Sequence, residues 1–122
     1  MKHIFQWRYV LAILLTLVTI TMSVMPARSL DSVSIIDIPH FDKWGHFLAY
    51  CTLGFSWFLS FYYLKYRVFK TWIFLFCLGI LIELSQFYFL EGRYFEILDI
   101  IANISGAIVG IAIGSYMMSK DR

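Results

Sequence analysis

Residues 83–103 read ELSQFYFLEGRYFEILDIIAN. They place Glu83, Gln86, Arg93, Glu96, Asp99 and Asn103 within or beside long apolar runs. Carboxylates in such surroundings can move protons or bind a cation. An arginine can fork onto phosphate. Upstream, residues 42–50 (DKWGHFLAY) add Asp42, Lys43, His46 and Tyr50. A histidine there can titrate near neutral pH and serve as acid or base. Burying a charge at mid-membrane costs about 2.5–3.5 kcal/mol on insertion scales, and such groups usually face a bundle interior or a wet cavity. The catalytic candidates are Glu83, His46 and Asp99. The ligand-binding candidates are Asp42, Lys43, His46, Tyr50, Glu83, Gln86, Arg93, Asp99 and Asn103.

The elements that must position these groups are helices. The chain has 122 residues, 61% hydrophobic and only 15% charged, with a mean hydropathy of +0.75. That is too little charge for a soluble domain of this size. Four nearly uncharged windows fall at 9–25, 44–64, 71–90 and 97–118. About 20 apolar residues in a helix cross a hydrocarbon core of about 30 Å, and a helix satisfies every backbone polar group within itself. The expected fold is all-α and integral to the membrane: one domain over 1–122, a compact bundle of four transmembrane helices.

The first window could instead be a signal peptide, with 27–29 as a weak cleavage site. Its length exceeds the usual apolar region of about 7–15 residues, so retention is the expectation. Pro26 ends the window, and 33–38 is apolar enough to lie at an interface. Two cysteines, Cys51 and Cys77, fall at different depths on opposed helices, which argues against a disulfide.

Lysine and arginine number seven at the N-terminus, the 65–70 turn and the C-terminus, against three in the 27–43 loop and the 91–96 turn. Cytoplasmic flanks carry the excess. Both termini are therefore expected in the cytoplasm, and the acidic loops outside. The polar groups of three helices then share the outer half of the membrane. Glu96, Asp99, Asn103, Gly106 and Gly110 are spaced 3, 4, 3 and 4, one stripe that is polar at the top and small below. The glycines, with Gly114, allow close helix approach within the chain or in a dimer.

The blander readings stand beside these. Glu83 reads equally well as half of a structural ion pair with Arg93 or Lys43 that fixes helix packing. Asp99 at a helix start suits the helix dipole. Asn103 fits an interhelical hydrogen-bonder, and His40 a loop residue. Lys43 reads as an interfacial anchor that snorkels, Arg93 as part of the cluster. Trp44, Trp72, Tyr94 and Tyr116 read as interfacial belts; Trp57 and Gly54 as packing. His46, Glu83 and Asp99 could together hold a metal, but the spacing gives no close ligand pair such as H-E-x-x-H and places no thiol at the outer face, so no metal is expected. No cofactor is expected, and the net charge of +2 gives no basis for nucleic acid.

DKWGHFLAYCTLGF, then ELSQF, then GRYFEILDIIANISGAIVG resembles the VanZ-like family of small bacterial membrane proteins. The blocks D-K-x-x-H-F-x-x-Y, E-x-x-Q and R-x-x-x-x-x-D-x-x-x-N-x-x-G appear in order over residues 42–110. The matching positions are Asp42, Lys43, His46, Tyr50, Glu83, Gln86, Arg93, Asp99, Asn103 and Gly106. The resemblance implies a bacterial cytoplasmic-membrane protein that modulates glycopeptide susceptibility. The family's founding member is linked to low-level teicoplanin resistance, and relatives to lipoglycopeptide tolerance. The leading expectation is an outward-facing polar cluster that binds a lipid-linked or lipophilic envelope ligand. Alternatives are an enzyme acting on an envelope lipid or peptidoglycan precursor, a small carrier that would have to be oligomeric, and an assembly partner of an envelope complex.

Overall fold

The computed structural model describes residues 2–25, 40–92 and 94–120, with side chains from residue 6 onward. Among them the chain forms four helices: α1 (Lys2–Ser23), α2 (Phe41–Ser60), α3 (Arg67–Phe89) and α4 (Ile97–Lys120). They hold 22, 20, 23 and 24 residues. At about 1.5 Å per residue each is about 30 Å long or more. By length and composition α1, α3 and α4 can cross a membrane. The helix α2 is as long as a span requires, yet falls short by the same apolarity measure.

Its position accounts for its composition. α2 is the central helix and touches α1, α3 and α4. Its buried Tyr50, Ser56 and Ser60 meet protein rather than lipid. Polar side chains are tolerated there because neighbours satisfy them. Ser60 Oγ donates to the Ser56 carbonyl at 2.8 Å and lies 3.0 Å from the Arg8 carbonyl on α1. Trp57 Nε1 donates to Thr16 Oγ1 at 2.9 Å. Trp57 also packs on Phe74 of α3, with ring centroids 4.7 Å apart. Trp57 is thus the packing residue its position suggested, and it ties α1 and α3 to α2.

The closest packing joins α2 to α4. An ideal Cβ built on Gly106 would collide with the Phe47 carbonyl, and one on Gly110 with the Cys51 carbonyl. Gly54 reciprocates from α2, where a Cβ would lie 2.7 Å from the Ala107 carbonyl. The small-residue stripe therefore serves packing inside one chain, with backbone laid on backbone. Tyr50, Leu53, Leu75 and Ala107 form the buried core beside it.

Boundaries differ from the apolar windows at every helix end but the start of α4. α1 begins at Lys2, so its charged flank is already helical, and it ends at Ser23. α2 stops at Ser60, four residues before the apolar window closes. The chain then turns, with Phe61 N bonded to the Trp57 carbonyl and Leu64 N to the Phe61 carbonyl. Tyr66 enters α3 through a left-handed backbone, φ 60°. His40 does the same before α2, at φ 57°, an exposed turn residue whose side chain makes no cap bond, in keeping with its reading as a loop residue. Pro26 and residues 33–38 lie outside the described residues. Cys51 and Cys77 are both free thiols.

Candidate functional site

The start of α2, the end of α3 and the start of α4 meet at one end of the bundle. α2 contributes Lys43, His46 and Tyr50 on successive turns, because residues three and four apart share a helix face. α3 contributes Glu83 and Gln86, and α4 contributes Asp99 and Asn103. Tyr50, Glu83, Gln86, Asp99 and Asn103 are all buried, Glu83 completely. The sequence-derived candidates on these three helices are thus gathered by the fold. Arg93 lies outside the described residues.

Lys43 closes the mouth of the cluster. Its Nζ lies 2.6 Å from Asp42 Oδ2 and 2.7 Å from Asp99 Oδ1, and it also pairs with Glu96. Its side chain is only 15% exposed. The expectation of an exposed, snorkelling anchor is therefore corrected: three carboxylates from two segments draw the ammonium in. Burial works against the charge of Lys43, but the carboxylate hydrogen bonds outweigh it and raise its pKa. For Asp42, burial pushes the pKa up, and Lys43 more than offsets this and holds it below the ordinary carboxylate value. Asp42 and Lys43 precede the apolar window that begins at 44. A raised lysine contributes stability below its unfolded pKa that is lost as pH rises through the folded one. A depressed carboxylate contributes stability above its unfolded pKa that is lost as pH falls through the folded one. Both contributions are present at neutral pH.

Asp99 sits in the first turn of α4, where the positive end of the helix dipole favours it, and it is salt-bridged as well. Its two oxygens are divided. Oδ1 faces Lys43, and Oδ2 lies 3.7 Å from His46 Nε2. The other imidazole nitrogen, Nδ1, is 3.0 Å from Asn103 Oδ1. Asn103 is accordingly an interhelical hydrogen-bonder, as its position suggested. The ligand atoms of His46, Glu83 and Asp99 all lie within 4.8 Å of one another. No spacing in the sequence announces this trio, since each member comes from a different helix and only the helix rotations bring them together.

Gln86 takes a different part. Its Nε2 donates to the Ser23 carbonyl at 2.6 Å. It therefore secures the last turn of α1, whose terminal carbonyls lack helical partners. Tyr50 Oη and Asn103 Nδ2 are buried without a hydrogen-bond partner. Both approach Gly79 of α3 and line a small cleft with Leu75 and Phe76. The cleft volume is about 10 Å³, room for about one water molecule.

The family model described as VanZ/LLP1 matches residues 4–118. The chain belongs to the VanZ/LLP1 family. That match covers all four helices and every candidate residue of the cluster. No curated protein and no solved structure matches the chain. Within this VanZ/LLP1 chain, Asp42 and Glu96, with side chains 53% and 47% exposed, lie at the mouth rather than in the interior.

Proposed function

We propose that this chain is a cytoplasmic-membrane protein of a bacterium, in which α2 also spans the bilayer and both termini lie in the cytoplasm. Its polar cluster faces outward and binds the polar part of a lipid-linked or lipophilic envelope ligand, modulating susceptibility to teicoplanin-type glycopeptides. The observation that carries this reading is the convergence of buried Glu83, Asp99 and Asn103 with Lys43 and His46 at one end of the bundle. Asp42, Glu91, Glu96 and Asp99 gather at that end, while Arg8, Lys65, Arg67, Lys70 and Lys120 belong to the other. This asymmetry supports the acidic end being outside.

A ligand reaching the cluster from the outer leaflet would meet Lys43, Asp42 and Glu96 first. The test is teicoplanin susceptibility of a sensitised bacterium making the wild type or Glu83→Gln, at matched membrane levels. The wild type is expected to raise resistance and the variant to lose that effect. Equal resistance from both would make Glu83 a packing residue, and no effect from either would sever the link to this antibiotic.

One observation favours a second reading, an enzyme acting on an envelope lipid or precursor. His46, Glu83 and Asp99 are close enough to exchange a proton through one water. Conversion of a lipid-linked precursor by purified protein would establish that reading.

A further inference from the structure

We propose that His46, Glu83 and Asp99 form a binding site for one divalent transition-series cation, of the Zn²⁺ or Mn²⁺ type. The site shares residues with the proposed ligand cluster but does not depend on what the ligand is.

Three helices each supply one donor, and the donor atoms all lie within 4.8 Å of one another. Metal bonds to imidazole nitrogen and carboxylate oxygen are about 2.0–2.2 Å, which sets neighbouring ligands about 3–4 Å apart. A shift of about an ångström in side chains completes that geometry.

The hydrogen bonding around His46 points the same way. Nδ1 is 3.0 Å from Asn103 Oδ1. An amide oxygen only accepts, so with the amide in this orientation Nδ1 carries the proton. Nε2 is thereby turned toward Asp99 Oδ2, 3.7 Å away, a spacing that one metal ion bonded to both can bridge. Metal-bound histidines commonly donate their second nitrogen to an oxygen in this way, which fixes the ring and the tautomer. Asp99 is divided to match: Lys43 takes Oδ1 at 2.7 Å and leaves Oδ2 on the His46 side.

Charge agrees. Asp42, Glu96 and Asp99 set three carboxylates around the one ammonium of Lys43. The buried Asp99, 4% exposed, thus sits in net negative surroundings that favour a metal cation. Tyr50 Oη and Asn103 Nδ2, 2% and 4% exposed as residues, are buried without a hydrogen-bond partner. The cleft they line has room for about one water, which they can hydrogen-bond. One nitrogen and two carboxylates suit zinc or manganese, whereas calcium and magnesium favour all-oxygen sets.

The test uses the full-length protein in detergent, stripped with a chelator and re-equilibrated with Zn²⁺ or Mn²⁺ alone. Bound metal is measured by elemental analysis, and thermal unfolding is followed with and without metal. The wild type is expected to hold about one ion per chain and to melt higher with it. His46→Ala and Glu83→Gln, monodisperse on size exclusion, are expected to bind at least about tenfold more weakly, while Tyr88→Phe, at a residue 72% exposed and outside the cluster, binds as the wild type does. A folded wild type that retains no metal and shows no metal-dependent melting shift overturns the proposal, whatever the variants do. So does stoichiometric binding that survives both His46→Ala and Glu83→Gln. A metal-free wild type that still raises glycopeptide resistance would sink this inference and leave the functional reading intact; the converse would sink the functional reading alone.

Discussion

Gly110→Val will strip the membrane of folded protein, and Gly110→Ala will lower its melting temperature sharply. At Gly110 the α4 backbone lies on the Cys51 carbonyl of α2, and a Cβ there would overlap backbone rather than a movable side chain. Overpacking a well-filled interior costs about 1–3 kcal/mol even where side chains can yield. Here two helix backbones must separate, so the cost for alanine belongs at or above the top of that range. Native domains hold only about 5–15 kcal/mol in total. Gly106→Ala should act alike, through the Phe47 carbonyl. Gly45→Ala is the control. Nothing lies within 4 Å of its would-be Cβ, and alanine gains about 1 kcal/mol of helix propensity over glycine. Thermal unfolding in detergent should place Gly45→Ala at or slightly above the wild type and Gly110→Ala well below it. Equal melting temperatures would refute the close α2–α4 packing.

Removing the ammonium of Lys43 should be the second large perturbation. Lys43→Met leaves buried Asp99 without its 2.7 Å partner and frees Glu96 and Asp42 to repel one another. Breaking a buried pair from one side costs about 3–5 kcal/mol, because the remaining charge stays uncompensated. Asp99→Asn combined with Lys43→Met should recover much of that loss, since a neutral pair strands no charge. Asp42→Asn should cost less than about 1 kcal/mol, as expected for an exposed partner; Asp42 is 53% exposed in its side chain. Denaturation of the wild type, Asp42→Asn, Lys43→Met, Asp99→Asn and the Lys43→Met, Asp99→Asn double variant in detergent measures the coupling. A Lys43→Met loss no larger than that of Asp42→Asn would mean that Lys43 is an interfacial anchor after all.

The helices were legible because apolar length is a one-dimensional signal. The windows near 71–90 and 97–118 became α3 and α4 with small changes at their ends. The end of α2 was not legible. Phe61, Tyr62, Tyr63 and Leu64 continue the apolar run, yet they form a turn, and hydropathy does not distinguish an aromatic turn from an aromatic span. The cluster was legible as membership and not as wiring. Spacing put Glu83 and Gln86 on one face of α3, and both are buried, but Gln86 bonds the Ser23 carbonyl of α1. Register along one helix cannot report which neighbour lies across from it. Lys43 shows the same limit from the other side: its sequence position suits an anchor, and only the approach of Glu96 and Asp99 from α4 draws it inward. The trio of His46, Glu83 and Asp99 was likewise legible as candidates, but their approach within 4.8 Å depends on how three helices are rotated.

The most direct test of the account is the sidedness of the polar end. Single cysteines introduced as Tyr94→Cys, between α3 and α4, and Tyr66→Cys, between α2 and α3, would be probed in intact cells with a membrane-impermeant thiol reagent. Cys51→Ala and Cys77→Ala supply the background. Tyr94 and Tyr66 are 78% and 68% exposed, so neither label is blocked by packing. The account predicts modification of Tyr94→Cys in intact cells and of Tyr66→Cys only after lysis. The reverse pattern would place Lys43, Glu83 and Asp99 at the cytoplasmic face and contradict an outward-facing cluster for an envelope ligand.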